Sequence, residues 1–177
     1  MNKHIYDNYL SILREEMIPA MGCTEPIALA YGAARAREIL GKEPERIVAK
    51  CSGNIIKNVR CVIIPNSGGL KGIPAGVILG AVAGDASLDM EVLSNVTDEG
   101  RNRCRELLDK DICKVELLDT PVVLHIVIEM GAGKDSVSLE IKYDHINVTK
   151  IIKNGEILLD EDQAMEEREE ADRSLLD

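Results

Sequence analysis

Cys23 lies between Gly22 and Thr24, where Thr24-Glu25-Pro26 opens an alanine-rich apolar run. A cysteine at a helix start meets unpaired backbone N–H groups and the positive end of the dipole, which favour thiolate over thiol. There it can act as a nucleophile or a base, or simply serve as a small packing residue. A second set of polar residues is split across a β-rich run: Asn54, Lys57 and Asn58 precede it, and Asn66, Ser67, Gly68 and Gly69 follow, ahead of Ile73-Pro74. Backbone N–H groups at glycines and at a helix N-terminus suit an anion. That set could bind a small carboxylate, with Lys57 as countercharge and the asparagines orienting it, or be a surface turn.

The remaining reactive side chains are less promising. His4, His125 and His145 lack metal-ligand spacing. His125, inside an apolar strand, reads as a hydrogen-bonded structural residue, and His145 stands beside Asp144 near a strand end. Cys51, Cys61, Cys104 and Cys113 form no Cys-x-x-Cys pair and fall in apolar runs, so they read as reduced, buried small hydrophobes. No dinucleotide fingerprint, phosphate loop, zinc-protease helix, nucleophile elbow or calcium loop is present.

The elements that must carry these residues follow from periodicity and punctuation. Residues 3–17 read as an amphipathic helix ending at Ile18-Pro19. A core helix runs from about Thr24 to Leu40, with Thr24 as its N-cap and Gly41 as its stop. Arg46–Cys51 and Arg60–Ile64 read as strands, with Ser52–Asn58 as the polar link between them. A helix from Ile73 to Gly84 sets Gly76, Gly80 and Gly84 four apart on one face, a pattern for close helix packing or ligand access. A longer amphipathic helix covers Asp89 to Lys110. Residues 114–118, 122–128, 136–143 and 146–152 are strand candidates, with hairpin links at Gly131–Asp135 and Asn154-Gly155. Short links between consecutive strands favour antiparallel pairing. The expected fold is therefore α+β, helices packed on a largely antiparallel or mixed β-sheet, in a single domain over residues 1–159.

Composition narrows the classes of function. The 177 residues carry 31 acidic and 21 basic side chains, a formal net charge of −10, with 2% aromatics. A nucleic-acid binder needs a basic face and usually stacking rings, so that class is excluded. Nine acidic and two basic side chains fall within residues 160–177, which read as an acidic helical or disordered tail. The longest apolar stretch, residues 72–84, is shorter than the roughly 20 residues a bilayer requires, so no membrane association is expected. The first residues lack a secretory layout, which points to the cytoplasm.

Gly22-Cys-Thr-Glu-Pro26, Gly53-Asn-Ile-Ile-Lys-Asn58, Pro65-Asn-Ser-Gly-Gly-Leu-Lys-Gly-Ile-Pro74, Leu79-Gly80 and Glu91-Val-Leu93 occur in an order that resembles the L-cysteine desulfidase family. These enzymes are related to the iron–sulfur L-serine dehydratases, and the resemblance runs over roughly residues 10–160. It implies a lyase that eliminates sulfide from L-cysteine, or water from L-serine, to give pyruvate and ammonia with a [4Fe–4S] cluster. It implies Cys23 as the acceptor of the substrate's α-proton. It sets substrate contacts at Thr24, Glu25, Asn54, Lys57, Asn58, Ser67 and Gly68. Family members are longer, and their cluster cysteines lie in a C-terminal part without counterpart here. No metal ligand or cofactor is therefore expected on this chain, which should be inactive alone. The expected partners are a small amino-acid substrate and a cluster-binding domain or subunit, with self-association through glycine-rich helix faces also open. The alternative from another class is a non-catalytic domain that binds a small amino or carboxylic acid or a partner subunit.

Overall fold

The computed structural model describes Tyr9 and residues 22–161. The helix read over residues 3–17 and the acidic tail beyond Glu161 lie outside the described residues, except for Tyr9, which is helical. Four α-helices follow in the order α1 (Thr24–Leu40), α2 (Gly53–Val59), α3 (Gly72–Ala83) and α4 (Asp98–Asp109). A short 3-10 turn over Ala86–Glu91 separates α3 from α4. The strands are β1 (Arg46–Cys51), β2 (Cys113–Leu117), β3 (His125–Ala132), β4 (Asp135–Lys142), β5 (Val148–Lys153) and β6 (Glu156–Asp160). They form one sheet of order β2-β1-β3-β4-β5-β6. The β1–β2 pair is parallel and the others are antiparallel. This is the α+β fold with a mixed sheet that the sequence implied.

The core lies between the sheet and the helices, because alternate strand residues turn the same way. Ile47, Ala49 and Cys51 of β1, Ile126, Ile128 and Met130 of β3, and Val137, Leu139 and Ile141 of β4 are buried on that face. Helix α1 packs over β3 and β4 and is buried continuously from Pro26 to Ala34. Helix α3 lies against α1, β1 and β2. Gly80 explains the glycine spacing of α3: a Cβ there would overlap the backbone of Ala30, so α3 and α1 meet backbone to backbone. Close packing, one of the two readings of that pattern, is what the glycine face serves.

Four local expectations are corrected. Thr24 is not the N-cap; Cys23 occupies that position, with φ −63° and ψ 126°, and makes no side-chain capping bond. Residues 52–58 are not a polar loop but contain α2, which buries Ile55 and Val59 four apart on one face. Arg60–Ile64 is consequently not a strand, and only Ile63 forms an isolated bridge, to Lys71. In this run Ile64 is buried and Ile63 is exposed. The long helix over 89–110 is broken, since α4 starts anew at Asp98, where Thr97 Oγ1 accepts a hydrogen bond from Gly100 N at 3.2 Å.

Topology differs in one respect. The links between consecutive strands suggested that β2 would pair with β3, yet β1 lies between them. The connection from β1 to β2 carries three helices, long enough for the crossover that parallel pairing requires. The β3–β4 and β5–β6 hairpins match the expected links; β3 extends to Ala132, and β6 adds an edge strand over residues 156–160.

Candidate functional site

Gly22 has φ 141°, a conformation L side chains rarely adopt, and it turns the chain into α1 beside Pro65. Cys23 is thereby left exposed at the head of the helix. Its thiol donates to Glu25 Oε2 at 3.2 Å, and the Thr24 hydroxyl reaches the same oxygen at 3.4 Å. Glu25 Oε1 accepts from the side-chain amide of Asn58 on α2 at 3.0 Å. The carboxylate is thus held by three uncharged donors from two elements. His145, in the link between β4 and β5, is near enough to act on Glu25 electrostatically.

The electrostatics reverse one expectation. The helix start was expected to depress the Cys23 thiol, but it is raised above its ordinary value. Lost hydration comes first, followed by the hydrogen bond to Glu25 and its negative charge; the N–H groups of Glu25 and Thr24 pull only partly the other way. At rest Cys23 is a thiol. Burial alone would raise Glu25, yet the Cys23 thiol, its own N–H, Asn58 and His145 together hold it below the ordinary carboxylate value. The pair therefore rests as thiol and carboxylate, with the shared proton on sulfur.

The other site candidates are distributed around this pair. Asn54 and Asn58 are four apart on α2 and share a face. Of the two, Asn58 makes the bond to Glu25. Lys57 is exposed on the same helix. Ser67 is fully buried, and its hydroxyl donates to Leu70 O at 3.2 Å and accepts from Leu70 N at 2.9 Å, closing the turn after Pro65. Gly68 has φ 71° and lies against the Arg105 guanidinium. Among the described residues, neither Ser67 nor Gly68 is hydrogen-bonded to Cys23, Thr24 or Glu25. The structure thus joins Cys23, Thr24, Glu25 and Asn58 and sets the residue 65–70 turn beside them.

Sequence reasoning missed His145 as a neighbour of Glu25, because 120 positions separate them and no spacing links them. Its loop carries one local sign of constraint: Tyr143 has φ 70°, costly for a bulky residue, and its N–H bonds Leu124 O at 3.0 Å. His125 matches its reading as a structural histidine. Its Nδ1 is 3.0 Å from Thr120 Oγ1 and its Nε2 is 2.8 Å from Glu140 Oε1.

The chain resembles UPF0597 proteins. It is 43% identical over 166 residues to a UPF0597 protein of Treponema denticola, an alignment covering 94% of this chain and 38% of that relative. A UPF0597 protein of Finegoldia magna is 48% identical over 152 residues, covering 85% and 36%, and one of Fusobacterium nucleatum is 45% identical over 153 residues, covering 86% and 36%. The chain spans about two fifths of the length of the curated relatives it matches. No family model and no solved structure matches it.

A [4Fe–4S] cluster needs several converging thiolates. Cys51, Cys104 and Cys113 are buried on β1, α4 and β2, and burial pushes each thiol up to about 12. The Cys104 and Cys113 thiols point to the carbonyls of Ala75 and Lys114. No group of three His, Cys, Asp or Glu side chains among the described residues could hold a metal ion. The described residues do not fit a cluster. Among them, no helix is long and apolar enough to cross a membrane.

Proposed function

We propose that this chain is the substrate-side, base-carrying part of a cytoplasmic lyase that eliminates sulfide from L-cysteine, or water from L-serine. The products are pyruvate and ammonia, and Cys23 accepts the substrate's Cα proton. The observation that carries this reading is the hydrogen bond from the exposed Cys23 thiol to Glu25, with Asn58 fixing the carboxylate from a second helix. The ordered motifs around Cys23, Asn58 and Pro65 support it. The iron–sulfur cluster belongs to a part of the protein beyond this chain, consistent with the greater length of the UPF0597 relatives.

The thiol must lose its proton before it can serve as a base, and after lost hydration it is Glu25 that holds that proton in place. A substrate α-ammonium placed at Glu25 would take over the carboxylate as its partner. That exchange removes the hydrogen bond to Glu25 and most of its repulsion, which with lost hydration keep Cys23 protonated, so the exposed thiol releases its proton to solvent and the base forms when substrate arrives. The thiolate then takes the Cα proton, and departure of the Cβ substituent leaves an enamine that water hydrolyses to pyruvate and ammonium. Asn58 keeps Glu25 aimed throughout.

The test is anaerobic sulfide and pyruvate release from L-cysteine by this chain together with its cluster-binding domain or subunit. Cys23→Ala should abolish it. Turnover at the wild-type rate in that variant would remove Cys23 from the mechanism. Saturable amino-acid binding without any product would instead favour the non-catalytic binding domain.

A further inference from the structure

Among the described residues, strand β2 is an edge strand, bonded to β1 on one side only. Its ladder fixes which backbone groups are spent. Ile47 N bonds Ile112 O and Leu118 N bonds Cys51 O, with Cys113, Val115 and Leu117 directly opposite Ile47, Ala49 and Cys51. In a parallel pair this pattern turns the backbone groups of residues 112, 114, 116 and 118 toward β1. The N–H and C=O groups of Cys113, Val115 and Leu117 face outward.

Side chains on this edge are unusually apolar for an edge strand. Leu117 is 71% exposed, Val115 is 38% exposed, and Val123 in the following link is 66% exposed. Proteins normally blunt such an edge, because it is a template for further strand pairing. Lys114 and Glu116 stand on the opposite sheet face, in register with Val48 and Lys50.

The geometry points to a second copy of this chain as the occupant: two β2 strands pair antiparallel about a two-fold axis through Val115, joining two six-stranded sheets into one. The sequence Cys113-Lys-Val-Glu-Leu117 is self-complementary in that register. Val115 meets Val115 of the other copy, Cys113 meets Leu117, and Lys114 meets Glu116. Parity agrees as well. The residues with outward backbone groups face one another and exchange hydrogen bonds, while Lys114 and Glu116 fall at the closer non-bonded pairs, where opposite charges attract most. The same operation on the other edge strand fails, since pairing β6 with itself over its full length sets Glu156 against Asp160, acid against acid. Such an interface is isologous and closed, so it ends at a dimer.

Analytical ultracentrifugation of the 177-residue chain tests this. The expected species is a concentration-dependent dimer of twice 19.4 kDa. Val115→Pro removes an outward N–H without touching the β1 ladder and should yield a monomer with an unchanged circular dichroism spectrum. Lys114→Glu should weaken association by about tenfold, through like charges at both symmetric pairs. Adding Glu116→Lys to it should restore most of the loss. A monomer at every concentration overturns the proposal. A dimer indifferent to all of these substitutions overturns the β2 interface.

Discussion

Asn58, near the end of α2, donates its side-chain amide to Glu25 Oε1 at 3.0 Å, bridging two helices 33 positions apart in the chain. That bond leaves Glu25 Oε2 to the Cys23 thiol. Removing the amide should therefore disturb the thiol without touching it. Asn58→Ala is expected to cost about 1 kcal/mol of stability, read from urea unfolding, because a carboxylate oxygen loses a donor. In the proposed lyase, with its cluster-binding domain or subunit present, it should lower product release more than tenfold. A variant with wild-type stability and turnover would show that the bridge holds nothing.

Glu25 raises the Cys23 thiol, so neutralising it must act in the opposite direction. Glu25→Gln should lower the thiol toward its ordinary value and increase alkylation of the Cys23 peptide by iodoacetamide several-fold at neutral pH. The pH–rate curve should move to lower pH as a whole. An unchanged curve would assign the raised value to lost hydration alone.

Exposure divides the five cysteines. Cys23 and Cys61 are exposed, whereas Cys51, Cys104 and Cys113 are buried. Mass spectrometry after native alkylation should find label on the first two only, with the other three reacting after denaturation. Rapid native labelling of Cys51 or Cys104 would contradict the packing of β1 or α4.

Gly80→Ala places a methyl group against the backbone of Ala30, which cannot turn aside as a side chain could. The expected loss is about 1–3 kcal/mol, by overpacking between α1 and α3. Chemical unfolding measures it, and a neutral result would mean that the two helices are not in backbone contact.

On the acid side, stability should fall through a definite window. The Arg103 guanidinium, hydrogen-bonded to Glu43, holds that carboxyl below its ordinary value of 4.5. A carboxylate depressed in the folded state stabilises above its unfolded pKa and loses that contribution as pH falls through the folded one. Glu43→Gln should lower stability slightly at pH 7, by an amount kept small because the pair is solvent-exposed, and that difference from the wild type should vanish as pH falls below about 4.5. An identical acid profile in the variant would discount the pair.

Local chemistry made much of this fold legible in advance. The span Thr24–Leu40, the Arg46–Cys51 strand, the helix after Gly72 and the Asn154-Gly155 link rest on caps, alternation and turn residues within a few positions of one another. Cys23 and Asn58 are likewise legible from their types and placement, whereas Thr24 and Glu25 enter the site only through the family resemblance. What only the tertiary structure decided are relations between distant segments. β1 enters between β2 and β3, and α2 replaces a polar link because Ile55 and Val59 must both reach the core. His145 arrives beside Glu25 from 120 positions away. The state of Cys23 was decided in the same way. A helix start by itself favours thiolate, but lost hydration first, and then the hydrogen bond and negative charge of Glu25, which Asn58 holds from another helix, together outweigh the partial charges of a helix end.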